Sequence, residues 1–328
     1  MKNALLASVA TLATISAFSA FAADLPSRKA APVYAPPPPM WTGFYAGLNA
    51  GYNFGTNRNS YSQNWAGNWV DDLGFGFLPG TAALATGASA SNTQSGFIGG
   101  GQVGYNYQYG SNVVLGVEAD IQGSGIRGAS YGGGAAAGAG PTRSLPLSDS
   151  TLTISSKSTA VGGTTTQGGV DWLGTVRGRI GYLWTPTLLV YGTGGFAYGN
   201  AYANVAQSSV EGASTKVLIT GQTWQPETSA SGHNIWFGGG RQSQILTGWT
   251  AGGGAEWMFM PNWSVKAEAL YWDLGRQNVQ TALVGVPGVG VRPNFGWGRT
   301  SVSYQGVIAR AGVNYHFNWG AAPVVASY

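Results

Sequence analysis

The sequence predicts an all-β fold: an eight-stranded antiparallel transmembrane β-barrel with four long extracellular loops and three short periplasmic turns. Three observations predict it. Of 328 residues, 54 are Gly, and each interior Gly costs a helix about 1 kcal/mol against Ala, so strands are favoured. Charged residues make up only 9% of the chain, against about 25% in soluble domains, which argues against an ordinary cytosolic enzyme. Past Trp41, stretches of about 10 to 16 residues alternate apolar with small or polar positions, the period of a strand with one face toward lipid and the other toward a filled lumen.

The elements follow in chain order. Residues 1–22 hold Lys2, an apolar stretch from Ala4 to Phe18, and Ala20-Phe21-Ala22, the pattern of a cleaved signal peptide. A retained signal anchor is the weaker reading, because Ala, Ser and Thr dominate a short apolar core. Residues 23–41 carry Pro26, Pro32 and Pro36 to Pro39, extended or irregular chain that reads as a periplasmic linker. A Pro-rich recognition ligand is the alternative there. The barrel is expected over 42–317 and a periplasmic tail over 318–328.

The first strand, 43–54, places Phe44, Ala46, Leu48, Ala50, Tyr52 and Phe54 opposite Gly47, Asn49, Gly51 and Asn53. The second, 95–109, sets Phe97, Val103, Tyr105, Tyr107 and Tyr109 against Gln102, Gly104, Asn106 and Gln108. In the third, 111–122, Val113, Leu115, Val117, Ala119 and Ile121 oppose Asn112, Glu118, Asp120 and Gln122. The fourth, 170–184, puts Val170, Trp172, Val176, Ile180, Tyr182 and Trp184 outside and Asp171, Thr175, Arg177 and Arg179 inside. Segments 187–199, 245–259, 262–275 and 302–317 complete eight. Gly110, Thr185-Pro186 and Met260-Pro261 make short connections, while 55–94, 123–169, 200–244 and 276–301 make long ones. Strict alternation of short and long connections marks an outer-membrane barrel, and an even strand count returns both termini to the periplasm. A soluble sandwich or lipocalin-like barrel would need a charged outer face, which these strands lack.

Parity sorts the strand charges into a lumen set: the cations Arg177, Arg179, Lys266 and Arg310 and the anions Glu118, Asp120, Glu256 and Glu268. The set sums to zero and lies at similar heights, so a paired network is expected, since buried charge persists only when paired. Such a plug opposes a wide pore, which takes about 16 strands. Asp273 falls on the outer parity and is expected at the membrane rim. The loop charges run nine Lys/Arg to five Asp/Glu, counting Glu211 among the latter. That excess suits lipopolysaccharide phosphates or simply marks solvated tips.

Chemistry is sparse. With no Cys and only His233 and His316, no metal or thiol site can be assembled. His233 near Ser229 and Ser231 imitates a hydrolase arrangement, yet a loop His is ordinarily just solvated. Gly192-Thr193-Gly194-Gly195 lacks the Lys of a nucleotide loop. No cation run exceeds Arg28-Lys29, so no nucleic-acid patch exists. The expectation is no catalytic residue, no cofactor and no metal.

Ala23-Asp24-Leu25-Pro26, the Pro run, Trp41-Thr42-Gly43-Phe44-Tyr45-Ala46-Gly47, Tyr191 to Gly199 and Ala309 to Phe317 together resemble the porin-family outer-membrane β-barrels of alphaproteobacteria, the outer-membrane immunogenic proteins. The resemblance implies a barrel with antigenic loops in the outer membrane of a Gram-negative bacterium, involved in envelope integrity and sometimes porin-like. Its partners would be outer-membrane lipid, lipopolysaccharide and the barrel assembly machinery; oligomeric state is left open. It also implies that Tyr315 and Phe317 form the assembly signal. Here the chain departs from the pattern, since Asn318 to Tyr328 follow and Tyr328 could take that role. A small-solute porin, and an adhesin or receptor using 123–169 and 200–244, are the alternatives.

Overall fold

The computed structural model describes residues 40–56, 58–66, 69–70, 76–77, 89–139, 142–221, 223, 225–287 and 294–317. The expected signal peptide, all of the linker before Met40, the tail, Asp71, Asp72 and Arg292 lie outside the described residues. The strands are β1 (Gly43–Gly55), β2 (Arg58–Ala66), β3 (Trp69–Val70), β4 (Gly76–Phe77), β5 (Ser89–Asn92), β6 (Gly96–Tyr109) and β7 (Val113–Ala139). They continue with β8 (Arg143–Pro146), β9 (Thr151–Thr185), β10 (Leu188–Thr220), β11 (Glu227–Met260), β12 (Trp263–Pro287) and β13 (Asn294–Phe317).

Eight of these close a ring in the order β1, β6, β7, β9, β10, β11, β12, β13, every neighbouring pair antiparallel. The ring shuts where β1 pairs β13 from Phe44↔Phe317 to Gly55↔Gly306. Over the height spanned by β1 and β6, closure pairs each strand on both edges, which removes there the open edge that a flat sheet would present. At one end the connections are tight: residues 110–112, 186–187 and 261–262. Gly110 supplies the left-handed turn there, with φ of 63°.

The outer wall shows why these segments are membrane strands. Phe44 against Tyr105 and Trp263 against Tyr315 form edge contacts near the short-turn end. Tyr52 against Phe97, Trp172 against Tyr198 and Trp249 beside Tyr271 form a second row. Trp249 and Trp257 stand eight residues apart on β11. At about 3.3 Å per residue and a tilt near 40°, that spacing is about 20 Å of height, close to the apolar band of an outer-membrane barrel. Between the rows the outward residues are Leu48, Leu115, Val117, Ile121, Val176 and Ile180, all exposed and uncharged.

The strands run much further than the alternation predicts. Most of the stretches expected as loops at 123–169, 200–244 and 276–301 is strand: β7 climbs to Ala139 and β9 begins at Thr151 with the short β8 between them, β10 runs to Thr220 and β11 begins at Glu227, and β12 runs to Pro287 and β13 begins at Asn294. The β9–β10 ladder is paired from Thr185↔Leu188 to Thr151↔Thr220. Above the lipid band neither face must be apolar, so the hydrophobic period fades although the ladder continues.

Two bulges change the expected faces. β9 carries one extra residue, Asp171, opposite the Asn200/Ala201 step of β10. Below it the odd residues Leu173, Thr175, Arg177 and Arg179 face inward; above it Val170, Thr166 and Thr164 do. Val170, expected outside, is therefore fully buried. Asp171, expected inside, is half-exposed and pairs with Arg127 at 3.3 Å. The second bulge follows Asp273, whose carboxylate accepts the Gly275 N–H at 2.7 Å while Gly275 takes φ of 80°. Beyond it the inward residues of β12 switch from Leu274 to Gln277 and Val279. Asp273 thus keeps its outer position by capping the bulge.

Candidate functional site

The lumen is filled in layers. At the short-turn end Trp41, Val114, Leu183, Leu189, Tyr191 and Met258 form a buried apolar cluster. Trp41, at the end of the expected linker, donates its indole N–H to the Pro186 carbonyl at 3.0 Å and meets His316 edge-on.

Above this floor lie all eight charges singled out by parity. Arg177, 1% exposed, donates to Glu118, to Asp120 at 2.9 Å, to Glu268 at 3.3 Å and to the Thr175 hydroxyl at 2.9 Å. Arg310 spans Asp120, at 2.8 Å, and Glu268. Lys266 sits 2.9 and 3.0 Å from the two oxygens of Glu118 and 3.3 Å from Glu268. Arg179 holds Glu256 at 2.7 Å and approaches Glu118 at 3.6 Å, joining the last anion to the rest. These side chains come from β7, β9, β11, β12 and β13, so the network ties non-adjacent strands across the barrel.

Sequence reasoning missed the neutral members. Tyr45 of β1 donates to Glu118 at 2.6 Å and accepts from Arg179 at 2.9 Å. Tyr191 of β10 donates to Glu268 at 3.1 Å, and the Arg179 guanidinium stacks 4.0 Å above its ring. Glu256 also accepts from Ser264 at 2.6 Å and Asn314 at 2.7 Å, with His316 at 3.4 Å. Gln102 of β6 donates to Asn314 and accepts from Asn49. The available signal was parity: Tyr45 shares the inward phase of Asn49 and Asn53, and a buried Tyr hydroxyl needs a partner. Multiple bonds per carboxylate offset the several kcal/mol per ion that burial costs.

Toward the far end the lumen turns apolar again. Ile98, Ile126, Val170, Leu173, Leu270, Trp272 and Ile308 belong to one buried cluster, and Trp272 donates to Asn53 at 2.8 Å. Tyr304 continues it, donating to the Tyr202 carbonyl at 2.8 Å. Higher still the inner face is short and polar: Gln207 bridges Thr164 and Thr281. Glu211, expected on a solvated loop, is buried there and accepts from the Trp236 indole at 3.3 Å. His233, Ser229 and Ser231 lie exposed on β11 rather than in a loop. Tyr315 and Phe317 face outward at the short-turn end, edge-on at 5.1 Å.

No family model matches the chain. It is 36% identical over 188 residues to the 31 kDa outer-membrane immunogenic proteins of Brucella melitensis and Brucella suis, covering 57% of this chain and 58% of each relative. The chain thus spans a little over half the length of these relatives. Among solved structures it is similar to Ail, the attachment invasion locus protein of Yersinia pestis, at 13% identity over 82% of this chain and 99% of that one, with a TM-score of 0.24. It is also similar to the outer-membrane protein OprG of Pseudomonas aeruginosa, at 13% identity over 84% and 96%, with a TM-score of 0.34.

Proposed function

We propose that this chain, an outer-membrane β-barrel protein of a Gram-negative bacterium related to the Brucella immunogenic proteins, is a closed barrel that serves envelope structure and surface contact, with narrow or no conductance. The observation that carries the reading is the layered lumen. An ion entering from either end meets an apolar cluster before the charges, and those charges are occupied with one another. Open diffusion channels need about twice this strand number. In this reading the short turns face the periplasm and the tall sheet stands outside. Lipid and lipopolysaccharide surround the girdled wall, and the outward Tyr315 and Phe317 form the strand end that the barrel assembly machinery reads.

The test is planar-bilayer recording of refolded protein, comparing wild type with Arg310→Ala and Glu268→Ala. A silent wild type with current in either variant supports the closed lumen. Stable, ion-selective steps from wild type would establish the small-solute porin instead.

A further inference from the structure

On the outer wall above the upper aromatic row, strands β11, β12 and β13 form a trough of about 560 Å³. Its floor is Gly239, Ala282 and Gly298, and its walls are Trp297, Gln280 and Arg299. The ladders set the rows. Ala282 stands between Gly239 and Trp297, and Gln280 stands opposite Arg299. Gly240 runs against the Gln280 carbonyl so closely that a Cβ would collide with it. That contact brings the neighbouring Arg241, also exposed, to the same level on the other side of Gln280. Phe237, Val284 and Phe295 make the next row, away from the membrane.

Three features combine here. The Trp297 indole, 63% exposed, lies beside a floor of small residues, its ladder neighbours being Ala282 on β12 and Trp65 on β2. A row of Arg241, Gln280 and Arg299 borders that floor. Finally, no Asp or Glu occurs in residues 235–249, 276–286 or 295–307, and neither arginine has an ion-pair partner among the described residues. Two arginines two strands apart are about 10 Å from each other. Arg299 stands eight residues along β13 from Val307, the register partner of Tyr271 in the upper aromatic row, which puts the trough about 20 Å above the lipid band. Acyl chains do not extend to that height.

We propose that this trough binds an anionic saccharide, with the apolar face of a sugar ring on Trp297 and its phosphate, sulfate or carboxylate held by Arg299 and Arg241. A sugar ring offers an apolar C–H face and a polar rim, matching an indole flanked by hydrogen-bonding groups, and Arg is the side chain that grips such anions bidentately. The site lies on the outer wall and is independent of whether the lumen conducts. One ligand chemistry has two sources: the phosphorylated core of the membrane's own lipopolysaccharide, or a sulfated glycan from outside the cell.

The experiment is calorimetry on the full mature chain in lipid nanodiscs, titrated with three probes: deacylated phosphorylated core oligosaccharide, a sulfated heparin-type hexasaccharide, and neutral maltohexaose. Binding by at least one anionic probe, weakened by salt and absent for maltohexaose, is expected. Trp297→Ala and Arg299→Gln should each weaken it about tenfold or more, as loss of a central Trp or Arg anchor does. Trp184→Ala, which removes a still more exposed indole at the short-turn end, should leave it unchanged. Heat-modifiable gel mobility confirms that each variant is folded. Preference for the core probe assigns the ligand to the cell's own surface, and preference for the sulfated probe to an external glycan. The proposal is overturned by no binding of either anion, by equal binding of maltohexaose, or by binding that both trough variants retain. Loss of self-association in Trp297→Ala without saccharide binding would make the trough a contact between copies instead.

Discussion

The girdled lower barrel and the tall sheet above it are built from the same strands by different means. Below Asp171 and Gly275, the inner positions carry full charges and large aromatics bonded across the lumen. Above the two bulges the inner positions mix Thr, Ser and Gln with aliphatic residues such as Val205 and Val279, Glu211 with Trp236 being the one charged contact described there, and neighbours meet chiefly through the ladder and short side-chain bonds. In lipid the backbone has no alternative to the ladder, so side chains are free to specialise inward. In water the ladder itself must be worth keeping, and β-branched Thr and Val supply the propensity. The bulges sit where one regime gives way to the other, and each flips one strand's phase relative to its own lower half.

The strongest way to break this contrast is at Glu118, which serves Arg177, Arg179, Lys266 and Tyr45 together. Glu118→Ala should cost about 3–5 kcal/mol, because it leaves buried cations uncompensated. Urea-dependent refolding into bilayers would show the shift, and a change below about 1 kcal/mol would disprove a structural role for the network. Next is Gly275→Ala, at φ of 80°. A left-handed Ala should cost about 1–2 kcal/mol in the same titration, and no change would mean the bulge tolerates another conformation. In the upper sheet Gln207→Ala removes the bonds to Thr164 and Thr281. The expected loss is about 1 kcal/mol, and one as large as at Glu118 would erase the distinction between the two regions. Smallest is Arg127→Ala, which frees the half-exposed Asp171; an effect between about 0 and 1 kcal/mol is expected.

Much of the lower region was legible beforehand. The inward phase of Glu118, Arg177 and Arg310 follows from alternation alone, because a lipid-facing cation would cost about 2–4 kcal/mol at the midplane. The upper region was not legible, since stretches such as 151–169 carry no apolar period once both faces meet polar surroundings. Val170 and Asp171 were placed on the wrong faces because an extra residue in β9 leaves no trace in composition. Glu211 was read as solvated because its stretch looked like loop.

By itself the sequence determined the number of ring strands, the short turns and the sign and face of the eight charges in the lower network, because a period of two and the cost of charge in lipid act on every residue locally. Which carboxylate meets which cation, how far the ladders climb, and where Trp297 comes to lie beside Arg299 and Gln280 were decided only by the closed barrel. Those juxtapositions join strands far apart in the chain, and register and bulges, set by all eight strands at once, choose them.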